Sequence, residues 1–285
     1  MSTLRAGFSL LELLVAISIL AVLVALMTPT LAGLIQSDEV TTTQKDAERI
    51  YRAMFGTPSR GELGFIGDMG RLPAANTLSE LVSGTGLTPF HTSGQPGDAS
   101  LPGGSHVGSV GTGWRGPYLR SLFSTSDLFR DAWGLPFSYS TGNGQVTSGG
   151  PDGDLATTAD NITFPILAPL TTGTLFVSVF ANGVVDAQGA TAKLYSPVNG
   201  EQTVTPTKKR LPADTAFDGF SFPSVTHGLH ALVVAHTGRD ASSVCVTVSR
   251  TVPVAVLGGQ NVVVEVQMST TAIVSVTANT CTIPD

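Results

Sequence analysis

Hydrophobic residues form one unbroken run near the N-terminus and fall into short alternating segments in the second half of the chain. The run extends from Leu13 to Met27, and counted from Phe8 the segment is about twenty residues long. A helix of that length rises about 30 Å, which is the thickness of the hydrocarbon layer of a bilayer. The pattern therefore predicts a single transmembrane helix at the N-terminus.

An acidic residue, Glu12, directly precedes the apolar run. A carboxylate in a membrane-spanning segment costs about 2.5 to 3.5 kcal/mol on insertion scales, so such a residue is retained for a partner or a function. Pro29 stands where the apolar pattern ends. Inside a continuing helix, proline removes one backbone hydrogen bond and bends or breaks the helix.

The residues Gly7, Phe8, Glu12 and Pro29, behind a short leader whose only charged side chain is Arg5, resemble the class III signal peptides of type IV pilins and type II secretion pseudopilins. The resemblance implies a leader at 1–7, cleavage between Gly7 and Phe8 by a prepilin peptidase, and methylation of the Phe8 amine. It also implies that Glu12 neutralises the Phe8 amine of a neighbouring subunit, which selects filament register more than it adds stability. The implied partners are other pilin or pseudopilin subunits and an inner-membrane assembly platform.

Two other interpretations of the N-terminus are weaker. An ordinary secretory signal peptide carries small residues in an A-x-A pattern at a cleavage site behind the apolar segment, and no such site follows Met27. A plain membrane anchor explains neither Glu12 nor Gly7. Because Arg5 lies before the span and no comparable basic cluster follows it, we expect a single-pass inner-membrane protein with the residues beyond Pro29 in the periplasm or outside the cell.

The first helix is expected to continue beyond the membrane, over 8–56 in total. In the segment 36–54 the apolar residues recur at helical spacing, and Gly56, Pro58 and Gly61 then end the pattern. The residues expected to face a domain are Val40, Ile50, Tyr51 and Met54, whereas Asp46, Glu48 and Arg49 are expected to face water. The Gly- and Ser-rich stretch 91–113 reads as a loop of undecided role.

The segment Gly111–Gly116 satisfies the dinucleotide-binding pattern G-x-G-x-x-G, but a Gly/Ser loop precedes it and Pro117 follows it, so the required strand and helix are missing. The longer runs GWRGPYL, DAWGLPFSYS and VTSGGPDGDLATTADNI together resemble the head of the major pseudopilin of type II secretion. The resemblance implies a head over 57–164 with a small antiparallel sheet and a calcium loop.

Asp152, Asp154, Asp160 and Asn161 lie in the Gly-rich part of that loop. Ca²⁺ takes six to eight oxygen ligands at about 2.3 to 2.6 Å, and carboxylates, amides and backbone carbonyls supply them. The resemblance favours Asp152, Asp160 and Asn161 as ligands, although Asn161 stands where relatives have a second Asp, which implies weaker affinity. The alternative is a solvated Asp/Gly turn without an ion. No glutamate stands where an EF-hand requires one.

After a linker at 165–174, residues 175–285 alternate between apolar and polar over short runs, which predicts an all-β sandwich. Val262, Val264, Val266 and Met268 are expected on one face of a strand. The region loosely resembles transthyretin-like or carboxypeptidase-regulatory β-sandwiches, which implies an interaction module without catalysis. Cys245 and Cys281 are expected to pair, because disulfides persist outside the cytoplasm and no histidine or acid lies at metal-ligand spacing beside either cysteine.

Composition and the remaining motifs restrict the function. A net charge of −6 argues against nucleic-acid binding, and no G-x-S-x-G or H-E-x-x-H motif indicates an enzyme. His227 and His230 are expected to be surface or partly packed residues rather than a metal pair. We therefore expect an α+β filament subunit of a type II secretion system. The alternative is a type IV pilus minor pilin or adhesin that uses the β-sandwich to bind surfaces, and an enzyme displayed on a pilin stalk has no supporting motif.

Overall fold

The computed structural model describes most of the chain beyond residue 9. The described residues are 10–74, 78–92, 110–120, 126–181, 184–185, 190–209, 219–239 and 245–268. An N-terminal apolar helix precedes three sheets and several short helices, so the mixed helix and strand content is that of an α+β protein.

The first element is helix α1, Leu10–Phe55, of 46 residues. Its backbone is helical across Pro29, so the helix is not broken there. It ends as expected at Gly56, which has a φ of +76° and whose N–H donates to the Arg52 carbonyl at 2.7 Å. A left-handed residue closes a helix end in this way, and glycine takes that conformation without steric strain.

The second half of α1 buries one side against the rest of the chain. Thr43, Ala47, Ile50 and Met54 are buried at spacings of four, three and four residues, which place their side chains on one side of a helix. The predicted burial of Ile50 and Met54 is confirmed, and so is the exposure of Arg49 on the opposite side.

We call residues 57–164 the head, and the part of it that the structure describes consists mainly of short helices and turns. The helices are the 3₁₀ turn Pro58–Arg60, α2 at Gly64–Met69, and the 3₁₀ turns Leu78–Leu81, Ser126–Phe129 and Gly150–Asp152. Three strands, β1 (Ser138–Ser140), β2 (Gln145–Ser148) and β3 (Ile162–Phe164), form an antiparallel sheet in the order β1-β2-β3. The head core joins side chains of α1 to those of α2 and the sheet, among them Ile50, Met54, Phe65, Leu81 and Val146.

The C-terminal domain begins at Thr172, inside the expected linker, and contains the remaining strands. They are β4 (Thr172–Ala181), β5 (Val184–Val185), β6 (Ala190–Val198), β7 (Glu201–Val204), β8 (Lys208–Lys209), β9 (Gly219–Thr226), β10 (Gly228–Arg239), β11 (Cys245–Val256) and β12 (Asn261–Met268). One sheet has the order β11-β10-β6-β7, with β8 also paired to β6. The other has the order β12-β4-β5, with β9 also paired to β4, and β12 runs parallel to β4.

These two sheets enclose one hydrophobic core of mainly aliphatic side chains, which we call the aliphatic core. Leu175 and Phe222 come from the sheet of β4, and Leu194, Leu232 and Val256 come from the sheet of β10. Along β12, the side chains at 262, 264, 266 and 268 are all more buried than their neighbours, which confirms the predicted alternation. Period-2 burial of this kind places one face of each sheet on the core.

The head packs against the C-terminal domain through α2 and the turn that follows it. The Gly200 N–H donates to the Met69 carbonyl at 3.0 Å. Gly70 has a φ of +71°, and a Cβ at this position would lie 1.8 Å from the Pro197 carbonyl oxygen. Glycine therefore permits the two backbones to meet at this point.

The sheet containing β6 and β10 is covered on both faces. Its inner face contacts the aliphatic core, and on its outer face Val110 of the head packs with Tyr195 and Ala231 in a second, small cluster. Along β10 even the less buried side chains, such as Leu229 and Val233, are partly covered. Strands covered on both faces lose the alternation of exposed and buried positions.

Candidate functional site

The first half of α1 exposes an apolar surface on all sides. Leu10–Met27 has a mean hydropathy of 2.8, and none of the segment is buried within the chain. Leu10 is 84% exposed and Met27 is 59% exposed. Such a surface needs lipid or other helices around it, and the segment is long enough to cross a membrane. The helix is thus consistent with membrane anchoring.

Glu12 lies in the first turn of the described part of α1, and its side chain is exposed on this apolar surface. In hydrocarbon its carboxylate would require a cationic partner to remain charged. Gly7 and Phe8, where cleavage and methylation are expected, lie outside the described residues.

Asp131 anchors the turn that leads toward the proposed calcium loop. Its Oδ1 accepts hydrogen bonds from the backbone N–H groups of Trp133 and Leu135 at 3.1 and 2.8 Å, and its Oδ2 accepts one from the Ser148 hydroxyl at 2.6 Å. The Ser148 oxygen in turn accepts the Gly150 N–H at 3.1 Å. Asp131 is only 6% exposed, and it fixes where β2 ends and the loop begins.

Two of the expected calcium ligands are engaged in local turns. The Asp152 carboxylate accepts hydrogen bonds from the Asp154 N–H at 2.8 Å and the Thr157 hydroxyl at 2.7 Å. These two hydrogen bonds, the backbone one first, lower the pKa of Asp152. Asp154 accepts the Ala156 N–H at 2.9 Å. Both carboxylates therefore stabilise turns within the loop.

Asp160 and Asn161 lie at the end of the same loop. A Cβ on Gly150 would approach the Asp160 carbonyl oxygen to 2.6 Å and its Oδ2 to 3.0 Å. The Asn161 amide nitrogen donates to the Leu155 carbonyl at 3.0 Å, whereas the Asn161 Oδ1 is buried without a hydrogen-bond partner in the described structure. A buried amide oxygen of this kind fits Ca²⁺, which coordinates carbonyl oxygens. Within the described ranges, no three His, Cys, Asp or Glu side chains gather as a metal cluster, so the fit depends on amide and carbonyl oxygens.

Asp68 of α2 is a buried polar centre of the head that sequence reasoning missed. Its carboxylate accepts hydrogen bonds from Arg115 Nη2 at 2.7 Å and Nε at 3.2 Å, and from the Tyr118 hydroxyl at 2.8 Å. Burial raises the pKa of Asp68, and the charge of Arg115 and the hydrogen bonds from both partners oppose that rise. Burial and the charge of Asp68 raise the pKa of Tyr118. The arrangement fixes the 115–118 turn on α2.

The geometry around Gly111–Gly116 agrees with the rejection of a nucleotide fingerprint. Thr112 and Trp114 form isolated bridges to His91 and Pro89, and no helix follows in residues 117–120. Dinucleotide binding requires a helix N-terminus at that place to hold the pyrophosphate. The segment instead positions Trp114, whose indole N–H donates to the Glu80 carbonyl at 2.8 Å.

The expectation that His227 and His230 are surface or partly packed residues is wrong. They are 4% and 0% exposed, because the end of α1 covers His227 and the core-facing side of β10 holds His230. The His230 ring nitrogens lie 2.9 Å from the Ser196 hydroxyl and 2.8 Å from the Thr226 carbonyl oxygen. Burial lowers the pKa of His230 to about 4, and burial also lowers the pKa of His227. The His227 ring packs edge-on against Phe55 at 6.0 Å, where α1 ends.

Cys245 is the first residue of β11 and is disulfide-bonded. Cys281 lies outside the described residues. The Cys245 to Cys281 pairing therefore stays a prediction.

Comparison with known proteins bears on the N-terminus. Residues 3–28 match a family model described as the prokaryotic N-terminal methylation motif. No curated protein matches the chain. The matched segment contains Gly7, Phe8 and Glu12 and supports a prepilin-type signal. The motif indicates a pilin-like or pseudopilin subunit that is processed by a prepilin peptidase and assembles with other pilin subunits.

Proposed function

We propose that the chain is a filament subunit of a type II secretion system, assembled through a methylated Phe8 and Glu12. The observation that carries the proposal is the single helix α1, which has an exposed apolar half carrying Glu12 and a second half packed in the head core. A subunit built in this way is held by lipid before assembly and by the helices of its neighbours afterwards. The proposal assigns no catalysis to the chain.

The role of Glu12 follows from its surroundings. Cleavage after Gly7 creates a cationic amine on Phe8, and a neighbouring Glu12 in an apolar environment is its natural partner. Breaking a buried ion pair by removing one partner costs about 3 to 5 kcal/mol, because the other charge is left without compensation. Assembly thus favours the register in which both charges are paired.

The test is substitution of Glu12. Glu12→Ala should leave cleavage at Gly7 intact and stop incorporation into filaments, whereas Ser18→Ala on the same exposed surface should assemble normally. Intact mass of membrane-extracted protein should show a chain that begins at methylated Phe8. A chain that begins at Met1 or beyond Met27, or normal filaments from Glu12→Ala, would contradict the proposal.

The assignment to secretion rests on the head, since the runs around Trp114 and Trp133 resemble those of major pseudopilins. Deleting the gene should abolish export of secreted proteins and leave surface pili unchanged. Loss of pili with normal secretion would instead favour a type IV pilus. Neighbouring genes give a second readout, because a secretin and other pseudopilins accompany a secretion filament.

The alternative, a minor pilin or adhesin, has one observation in its favour. A cleft of about 430 Å³ opens between the two sheets of the C-terminal domain, and it is lined by apolar groups together with Lys208, among them Leu194, Val204, Phe222 and Pro223. We propose that this domain is a transthyretin-like β-sandwich that serves for interaction. A host-surface binding defect on deletion of residues 172–285, with assembly retained, would favour the adhesin.

We further propose that the loop after β2 binds Ca²⁺, with Asp160, Asn161 and nearby carbonyls as ligands and Asp152 and Asp154 supplying negative charge. Calcium would supply only electrostatic bridging that closes the loop. If the ion binds only the folded state, calcium at a hundred times its dissociation constant adds about 2.7 kcal/mol. Melting a fragment from Gln36 onward with Ca²⁺ and with chelator tests this, and equal midpoints for both would favour the ion-free turn.

A further inference from the structure

On the exposed side of α1 beyond the proposed membrane span, acidic and basic residues occupy different positions along the helix axis. Asp38, Lys45, Arg49 and Arg52 are all exposed, with the acid nearest the membrane and the bases farther away. Lys45 and Arg49 are seven and eleven residues beyond Asp38, which places them on nearly the same side of the helix, about 10 and 16 Å away along its axis. We call this row of four residues the outer stripe.

Among the described residues, two members of the outer stripe have ion-pair partners and two do not. Arg49 lies 3.4 Å from Asp46, and Arg52 pairs with Glu48 at 2.5 Å. Asp38 and Lys45 form no ion pair with any described residue, and they are too far apart along the helix to meet each other. The stripe thus presents one free acid and one free base of opposite sign.

We propose that Asp38 of one copy pairs with Lys45 of the next copy in the filament. Two parallel copies displaced by about 10 Å along the helix axis bring these residues level. The proposal rests on the filament function, and it adds a second register contact about 40 to 50 Å from Glu12 along α1.

The displacement agrees in size and direction with the contact at the membrane end. Pairing Glu12 with a neighbour's Phe8 amine requires a shift of about 6 Å, because four residues separate them. The same shift moves the neighbour's Asp38 toward Lys45. Helical side chains lean toward the N-terminus, so the long Lys45 side chain reaches back over the remaining few ångströms. One displacement of about 6 to 10 Å therefore satisfies both ion pairs.

Charge reversal in the full-length chain tests this contact. Asp38→Lys and Lys45→Asp should each lower filament yield by about tenfold, since every subunit makes the contact twice and attraction becomes repulsion. The double variant should restore filaments to near the original yield. Gln44→Lys changes the charge by half as much, about 100 to 120° away around α1, and should assemble normally.

The controls separate the possible failures. Each variant must be cleaved and accumulate in the membrane at the original level, and restoration in the double variant excludes misfolding of the single ones. Filaments with the original residues should also dissociate more readily in 1 M salt, because the Debye screening length is then only about 3 Å. If Glu12→Ala assembles normally, the filament function fails. If Glu12→Ala blocks assembly but Asp38→Lys does not, or the double variant stays defective, the Asp38 to Lys45 contact is wrong and the bases serve another partner such as anionic lipid.

Discussion

Buried and half-buried carboxylates join separate turns of the head around its hydrophobic core, whereas long strands surround the aliphatic core of the C-terminal domain. Asp68, Glu80 and Asp131 each accept hydrogen bonds from segments that are distant in sequence or in separate turns. The largest strand pair of the C-terminal domain, β10 with β11, is instead a continuous antiparallel ladder of twelve residue pairs. The head therefore adds a few specific polar contacts to its hydrophobic core, whereas the C-terminal domain adds many similar strand contacts to its own.

The largest effect is expected in the head. Asp131→Ala removes the acceptor for two backbone N–H groups and the Ser148 hydroxyl, all in a buried place, and should lower the free energy of unfolding by about 4 kcal/mol. Asp131→Asn keeps one acceptor oxygen and should cost about half as much. Urea unfolding of both variants measures this. Equal, small losses in both would mean that the head does not depend on this carboxylate.

The predicted disulfide is next in size and belongs to the C-terminal domain. Pairing of Cys245 with Cys281 closes a loop of about 36 residues, for which chain entropy gives about 3 to 4 kcal/mol. Reductant should therefore lower the melting temperature of this domain. The double variant Cys245→Ser with Cys281→Ser should already melt low and respond to reductant no further. Two free thiols in exported protein would refute the pairing.

In the aliphatic core, Leu232→Ala should cost about 3 kcal/mol, because the side chain is fully buried between the sheets. Val263→Ala, at a position that is 64% exposed, should change stability by less than about 0.5 kcal/mol. If both variants lose the same amount, the two faces of the domain are not as different as their burial indicates.

Sequence patterns predicted the two regions unequally, for a physical reason. The alternation along β12 and the helical spacing of Ile50 and Met54 reflect which side chains are buried on folding. The strand and the buried side of α1 were therefore predictable from the sequence. Thr43 and Ala47 were missed because small or polar residues give a weak pattern. The role of Asp131 was not predictable, because an Asp in a turn is common and its contact with Ser148 exists only in the folded chain.

His227 shows the same limit just before β10. Its ring packs against Phe55 at the end of α1, and no periodicity within the C-terminal strands predicts a cover supplied by another region. His230 instead shares the core-facing side of β10 with Leu232 and Val234, but a polar residue at such a position gives no apolar signal.

For the proposed site, the sequence indicated Gly7, Phe8 and Glu12 because their order is a motif. It did not indicate the orphaned Asn161 Oδ1, which depends on how the loop closes.

The stability of the C-terminal domain should depend on pH, because the buried His230 lies inside it beside Ser196 of β6 and Thr226 of β9. His230 has a pKa lowered from 6.5 to about 4 by burial, so its neutral form is favoured in the folded state. Its contribution is complete above pH 6.5 and is lost as the pH falls toward 4, with a loss of about 2 kcal/mol between pH 7.5 and 5. Comparing stability at both values for the original chain and His230→Gln measures the effect. An unchanged pH dependence in His230→Gln would assign it to other groups.

The smallest expected effect decides how tightly the two regions are coupled. The Thr88 hydroxyl of the head donates to the Glu201 carboxylate of β7 at 3.2 Å, and Glu201 is partly exposed. Thr88→Ala should cost about 0.5 to 1 kcal/mol, and a double-mutant cycle with Glu201→Gln should assign most of that loss to the pair. Thr85→Ala, whose hydroxyl contacts Ser83 in its own loop, is the matched control. If the cycle gives no coupling energy and the 172–285 fragment melts at the same temperature as it does in the whole chain, the two regions fold independently. A measurable coupling energy together with a less stable fragment would instead show that the head stabilises the C-terminal domain.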